Sequence, residues 1–157
     1  MHLSSRKEKY ALMAVGSEEM GDDAVALKTA KILKEKDLKG EWLVIRCGLY
    51  PENFVGVVTR SGVKVAVIVD AVEMGMKPGE IRIVEKRNLD TVLLTTHRIP
   101  LSFLLSYLEK EIEKVLFIGV QPKKLERGRG MSPELEKAAN SLAESLLNGN
   151  FKWFERI

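Results

Sequence analysis

The 157-residue chain has one cysteine, Cys47, two histidines and a single glutamine, Gln121. A lone cysteine cannot staple the chain to itself, and nothing around it has the spacing of a zinc or iron-sulfur site. A reducing, cytoplasmic setting is therefore expected. No apolar run approaches the ~20 residues of a membrane span, and the polar start MHLSSRKEKY precedes an apolar stretch too short for a secretory signal. Neither export nor membrane insertion is expected. A large excess of one charge is also missing: 25 Lys and Arg face 22 Asp and Glu, a net charge of +3, and the signs alternate along the chain. That balance argues against a nucleic-acid partner. The scarcity of glutamine beside plentiful Lys and Glu is a bias of heat-adapted proteins. What is present is 45% apolar and 30% charged residues, enough for one folded, soluble domain over residues 1–157 with a single core, expected to be a monomer.

The hydrophobic pattern alternates between strand and helix. Tyr10 to Val15 reads as a strand ending at Gly16, and the loop from Ser17 leads to Asp22 as a helix N-cap. Ala26, Leu27, Ala30 and Leu33 recur at helical spacing up to Gly40. Trp42 to Ile45 reads as a second strand, and Pro51 opens a helical stretch to Val58. Lys64 to Val69 is nearly continuous and rich in β-branched residues, as in a central strand covered on both faces, and stops at Asp70. Glu80 to Glu85 alternates apolar and charged residues and follows too closely for a helical crossover, which predicts an antiparallel edge strand. A helix from Pro100, a strand from Val115 to Val120, and a helix with Ser132 as N-cap, Pro133 first and Gly149 as terminator complete the chain. The sum is an α/β fold: a three-layer αβα domain with about five strands in a mostly parallel twisted sheet, one antiparallel edge strand, and helices on both faces.

In such sheets the ligand crevice lies beyond the carboxyl ends of the strands. Asp23 and Asp70 follow the first and third strands, and His97 ends the polar stretch before the helix at Pro100. Two carboxylates and an imidazole form a mixed oxygen and nitrogen set suited to nickel or zinc with open coordination positions. Each also has a structural reading: Asp23 complementing a helix dipole, Asp70 capping a turn, His97 as a satisfied polar residue. Spacing alone leaves the choice open. GSEEMGDD lacks the Gly-Lys-Ser/Thr of a P-loop and the third glycine of a dinucleotide fingerprint. No Gly-x-Ser-x-Gly elbow supports a serine hydrolase. Cys47 as a thiol nucleophile is a weak alternative, because a lone cysteine more often serves as a small buried hydrophobe. Met74 and Met76 read as gap fillers, and the loop with Lys123, Lys124, Arg127 and Arg129 as a mobile solvated segment able to touch an acidic partner.

GSEEMGDD, VIVDAVEMG, PGEIRI, TTHRIPL and IGVQP, in this order, resemble the endopeptidases that mature nickel-iron hydrogenases, above all the branch acting on hydrogenase-3-type large subunits of formate hydrogenlyase complexes. The resemblance runs from about Ala11 to about Leu147. It implies an aspartyl-type endopeptidase whose Asp23, Asp70 and His97 contact metal and serve catalysis. It further implies a [NiFe] hydrogenase large-subunit precursor as partner, trimmed of its C-terminal extension after a His or Arg once nickel is in place. The nickel then arrives with the substrate, and no tightly bound cofactor of the protein's own is expected. A metal checkpoint that binds the loaded precursor without cutting it is the alternative. Three departures from the family pattern stand out: Ser17 in place of the usual Asn, Ala24 in place of a common glycine, and Arg46 near the position of an Asp at the end of the second strand. Arg46 is a candidate partner for a carboxylate of the substrate tail. The C-terminal FKWFERI is expected to close an edge of the core.

Overall fold

The computed structural model describes residues 8–92 and 100–157. Strand β1 (Tyr10–Val15) is followed by a 3₁₀ turn (Gly21–Ala24), helix α1 (Val25–Lys36), strand β2 (Trp42–Gly48), a second 3₁₀ turn (Pro51–Phe54) and helix α2 (Val55–Ser61). Strand β3 (Val65–Ala71) and the short β4 (Ile81–Ile83) precede a 3₁₀ turn (Lys86–Asn88) and the single-turn helix α3 (Leu89–Val92). Helix α4 (Leu101–Glu109), strand β5 (Lys114–Val120), helix α5 (Pro133–Asn148) and a terminal 3₁₀ turn (Asn150–Trp153) follow.

The five strands lie in the order β2-β1-β3-β5-β4. The first four are parallel, and β4 runs antiparallel to β5. Side chains alternate across each strand, so one sequence supplies two cores. Leu12, Ala14, Val67 and Val69 face α1 and α5. Ala11, Met13, Ala66 and Ile68 face α2 and α4. This is the three-layer sheet that the apolar pattern predicts, with β4 as the antiparallel edge.

The C-terminal tail docks on the domain. Ile83 N–H donates to the Glu155 carbonyl at 2.9 Å, Ile157 N–H to the Ile83 carbonyl at 2.9 Å, and Glu85 N–H to the Ile157 carbonyl at 2.7 Å. These bonds cover the outer edge of β4, which would otherwise offer unpaired backbone groups. Phe151 is buried against Trp42, while Trp153 is 84% exposed and takes no part in closing the core.

Two expected caps are used differently. Asp22 lies inside the 3₁₀ turn and does not cap α1; Ser132 holds the N-cap position of α5 as expected, but its hydroxyl makes no cap bond. Both side chains are committed to each other across the structure, a long-range pairing that outweighs the local caps.

Candidate active site at the strand switch point

Strand order reverses at β1: the chain moves from β1 outward to β2, then returns to the other side of β1 as β3. At such a switch point the two crossovers leave on opposite faces and open a crevice beyond the strand ends. Asp70 is the penultimate residue of β3 and is 1% exposed. By strand alternation it shares the α2/α4 face with Ala66 and Ile68. Asp23 sits in the 3₁₀ turn after β1, 5% exposed, and that turn packs against β3. The structure thus brings the two aspartate-bearing segments together at the carboxyl edge of β1 and β3. His97 lies outside the described residues. Among the described residues no group of three or more His, Cys, Asp or Glu side chains is gathered as a metal cluster.

The local sequence explains how Asp23 is placed. Ser17 N–H donates to Asp23 Oδ2 at 2.9 Å, fixing the carboxylate's orientation. Gly16 has φ of +148°, and a Cβ there would lie 2.0 Å from the Asp23 carbonyl oxygen. Only glycine permits this approach of strand end to turn. The bond does not depend on the Ser17 side chain, because the donor is the backbone.

The neighbouring Asp22 has a structural duty. Fully buried, its carboxylate accepts from Lys123 N–H at 2.8 Å, Lys124 N–H at 2.9 Å, Ser132 N–H at 2.7 Å and the Ser132 hydroxyl at 2.8 Å. Burial pushes its pKa up, but the bonds from Ser132, Lys124 and Lys123 together outweigh that effect and hold it below its ordinary value. Asp22 N–H returns a bond to the Lys124 carbonyl at 2.9 Å. The β5–α5 loop, expected to be a mobile solvated segment, is therefore tied to the turn that carries Asp23. Arg127 adds an ion pair to Glu19 at 2.9 Å, and Gly128 N–H donates to the Glu19 carbonyl at 3.0 Å. Arg46 pairs with Glu18 of the same loop, so this guanidinium already has an acidic partner within the chain.

Cys47 is 4% exposed, and burial, with the nearby Glu52 charge, pushes its thiol up to about 12. A thiol so placed carries almost no thiolate near neutral pH, which counts against the cysteine-nucleophile alternative. Gln121, noted in the sequence for its scarcity and as part of the IGVQP motif, is 3% exposed and fully hydrogen-bonded at the end of β5. Its being the chain's one glutamine, directly after the last strand's apolar run, was the available signal, and the structure puts it two residues from the register partner of Asp70.

Residues 27–149 match the hydrogenase maturation protease family, HycI. The chain belongs to that family. The hydrogenase 3 maturation protease of Escherichia coli strain K12 is 38% identical over 115 residues, 71% of each chain. The solution structure of the endopeptidase HycI from Escherichia coli superposes with a TM-score of 0.81 at 31% identity, covering 90% of this chain and 91% of the other. The crystal structure of the [NiFe] hydrogenase maturation protease HycI from Thermococcus kodakarensis KOD1 gives 0.81 at 28% identity, over 92% and 93%. The protease is accordingly a peptidase hydrolase, and its switch-point crevice is the candidate site of peptide cleavage. Among the described residues no helix is long and apolar enough to cross a membrane.

Proposed function

We propose that this protease removes the C-terminal extension of a [NiFe] hydrogenase large-subunit precursor after nickel insertion, with Asp23, Asp70 and His97 contacting the nickel that the substrate carries. The observation that carries this reading is the placement of two nearly water-free carboxylates on the segments flanking the β1/β3 switch point. Removing a carboxylate from water costs several kcal/mol, a cost retained where charge has work to do in a cleft. A divalent ion of borderline softness is the ligand that suits two carboxylates and an imidazole while keeping thiolate ligands of its own. Bound in this way, the substrate's metal fixes the scissile peptide in the crevice. A second role for Asp23 or Asp70, in place of metal contact, is to take a proton from the attacking water as general base. The protease holds no tightly bound cofactor in this scheme, and the buried free thiol of Cys47 suits action in the cytoplasm.

The test is to incubate the protease with nickel-loaded and nickel-free precursor and follow the C-terminal extension by mass spectrometry. Trimming of the loaded form alone is expected, and His97→Ala is expected to abolish it. Equal processing of both forms refutes the nickel requirement, and normal processing by the His97 variant removes the imidazole from the site.

A further inference from the structure

The segment that leaves β3 after Ala71, one residue past Asp70, crosses the end of β5 to reach β4, and so flanks the switch point on its β5 side. One residue, Gln121, bonds to it at five positions, Glu73, Met74, Met76, Gly79 and Glu80. At the loop's start Val72 N–H donates to the Val120 carbonyl at 3.0 Å. At its far end Gly79 N–H donates to the Gln121 carbonyl at 2.8 Å, and Gln121 N–H to the Glu80 carbonyl at 2.9 Å. Between them the Gln121 side chain fills the arch: its Oε1 accepts from Met74 N–H at 2.7 Å and Met76 N–H at 3.2 Å. Its Nε2 donates to Glu73 Oε2 at 2.8 Å and to the Pro122 carbonyl at 3.1 Å. Glu73 Oε2 also accepts from Gly75 N–H at 2.9 Å, closing the network. The partners fix which end of the amide is which, since two backbone N–H groups require an acceptor and a carboxylate and a carbonyl require a donor. No other uncharged side chain of this shape supplies two acceptor and two donor sites in that arrangement.

We propose that Gln121 is a positioning residue of the protease: it sets the shape of the Glu73–Met76 wall, and that wall seats the substrate peptide beside Asp70. The proposal rests on the cleavage activity described above, and its failure is separable from a failure of that reading because wild-type cleavage is the control in the same assay. A wall that seats peptide acts on binding, whereas a fold weakened overall lowers the amount of active enzyme. Gln121→Leu is therefore expected to raise KM for the loaded precursor about tenfold with kcat changed less than about twofold. Amide exchange at Met74 and Met76 is expected to accelerate in the same variant, a readout independent of substrate.

Gln121→Glu keeps the acceptor for Met74 and Met76 but sets a second carboxyl against Glu73. Like charges raise the pKa of the pair, so the variant recovers the missing donor when one carboxyl is protonated at acid pH. The ratio of its KM to the wild-type KM is expected to approach one toward pH 5 and to rise at pH 8. Wild-type cleavage together with an unchanged KM in Gln121→Leu, or a loss confined to kcat, overturns the proposal. So does a Gln121→Glu variant whose KM follows the wild type across that pH range.

Discussion

Asp22→Asn tests whether the buried carboxylate beside the site aspartate is the clamp that its geometry describes. Asparagine keeps the shape but has one oxygen. Turned to leave that oxygen at the Oδ2 position, it still accepts from Lys123, Lys124 and the Ser132 hydroxyl, and it turns an N–H toward the Ser132 amide. Bonds to a charged acceptor contribute about 1.5–3 kcal/mol against about 0.5–1.5 for neutral ones, so three conversions cost about 1 kcal/mol each, and the orphaned amide adds about 1–3. The sum, about 4–6 kcal/mol, is a large part of the roughly 5–15 kcal/mol that holds a domain folded. For a chain of this length it corresponds to a fall of about 10–20 °C in Tm.

Urea unfolding at pH 7 measures it, with the midpoint falling and the slope unchanged if the folded state is otherwise intact. The pH dependence supplies a second check. A carboxyl whose folded pKa lies below its unfolded value near ~3.9 stabilises fully above that value and loses its contribution as pH falls through the folded pKa. The gap between wild type and variant is therefore widest at neutral pH and narrows below about pH 4. A variant within about 1 kcal/mol of wild type at pH 7, or a gap constant down to pH 3, refutes the clamp.

Gly16→Ala puts a methyl into the Asp23 carbonyl, 2.0 Å away, at a φ of +148°. Precursor cleavage is expected to fall at least about a hundredfold, because a displacement of about 1 Å at a reacting group costs that much, while circular dichroism still reports a folded sheet. Near-wild-type turnover would show that Asp23 does not need this seat. Cys47→Ser is expected to leave kcat and KM unchanged and to cost about 1–3 kcal/mol for burying a hydroxyl. Native Cys47 is likewise expected to resist iodoacetamide at pH 8. Inactivation by either treatment would revive the thiol mechanism.

Local pattern carried the strands and helices because each is marked by what surrounds it within a few residues. The continuous run into Asp70 is legible as a central strand, and Glu80–Glu85 as a strand with a wet side, since burial on two faces or one leaves its period in the side chains. The helical stretch from Pro51 is legible from its opening proline, whereas the short turns from Lys86 to Val92 carry no apolar period long enough to read. The placement of Asp23 and Asp70 was legible for a related reason: strand ends and switch points follow from element order, which the sequence pattern supplies.

The supports of the site were not legible, and the reason lies in chain separation. Asp22 meets Lys123 and Ser132 across 101 and 110 residues, and Gln121 meets Met74 across 47. Nothing in the neighbourhood of Asp22 distinguishes a buried anchor from an N-cap, because Asp is favourable in both settings. The two are told apart only when the β5–α5 loop arrives. Asp22 and Asp23 are adjacent in sequence yet serve opposite ends: one spends its oxygens on loop amides, and the other accepts from the Ser17 amide just after β1. A loop fixed on both sides in this way cannot shift Asp23 without breaking charge-assisted bonds elsewhere. The hold on the β5–α5 loop and the placement of Asp23 are therefore coupled, and on the reading proposed above variants that loosen the loop are expected to lose cleavage before they lose the fold.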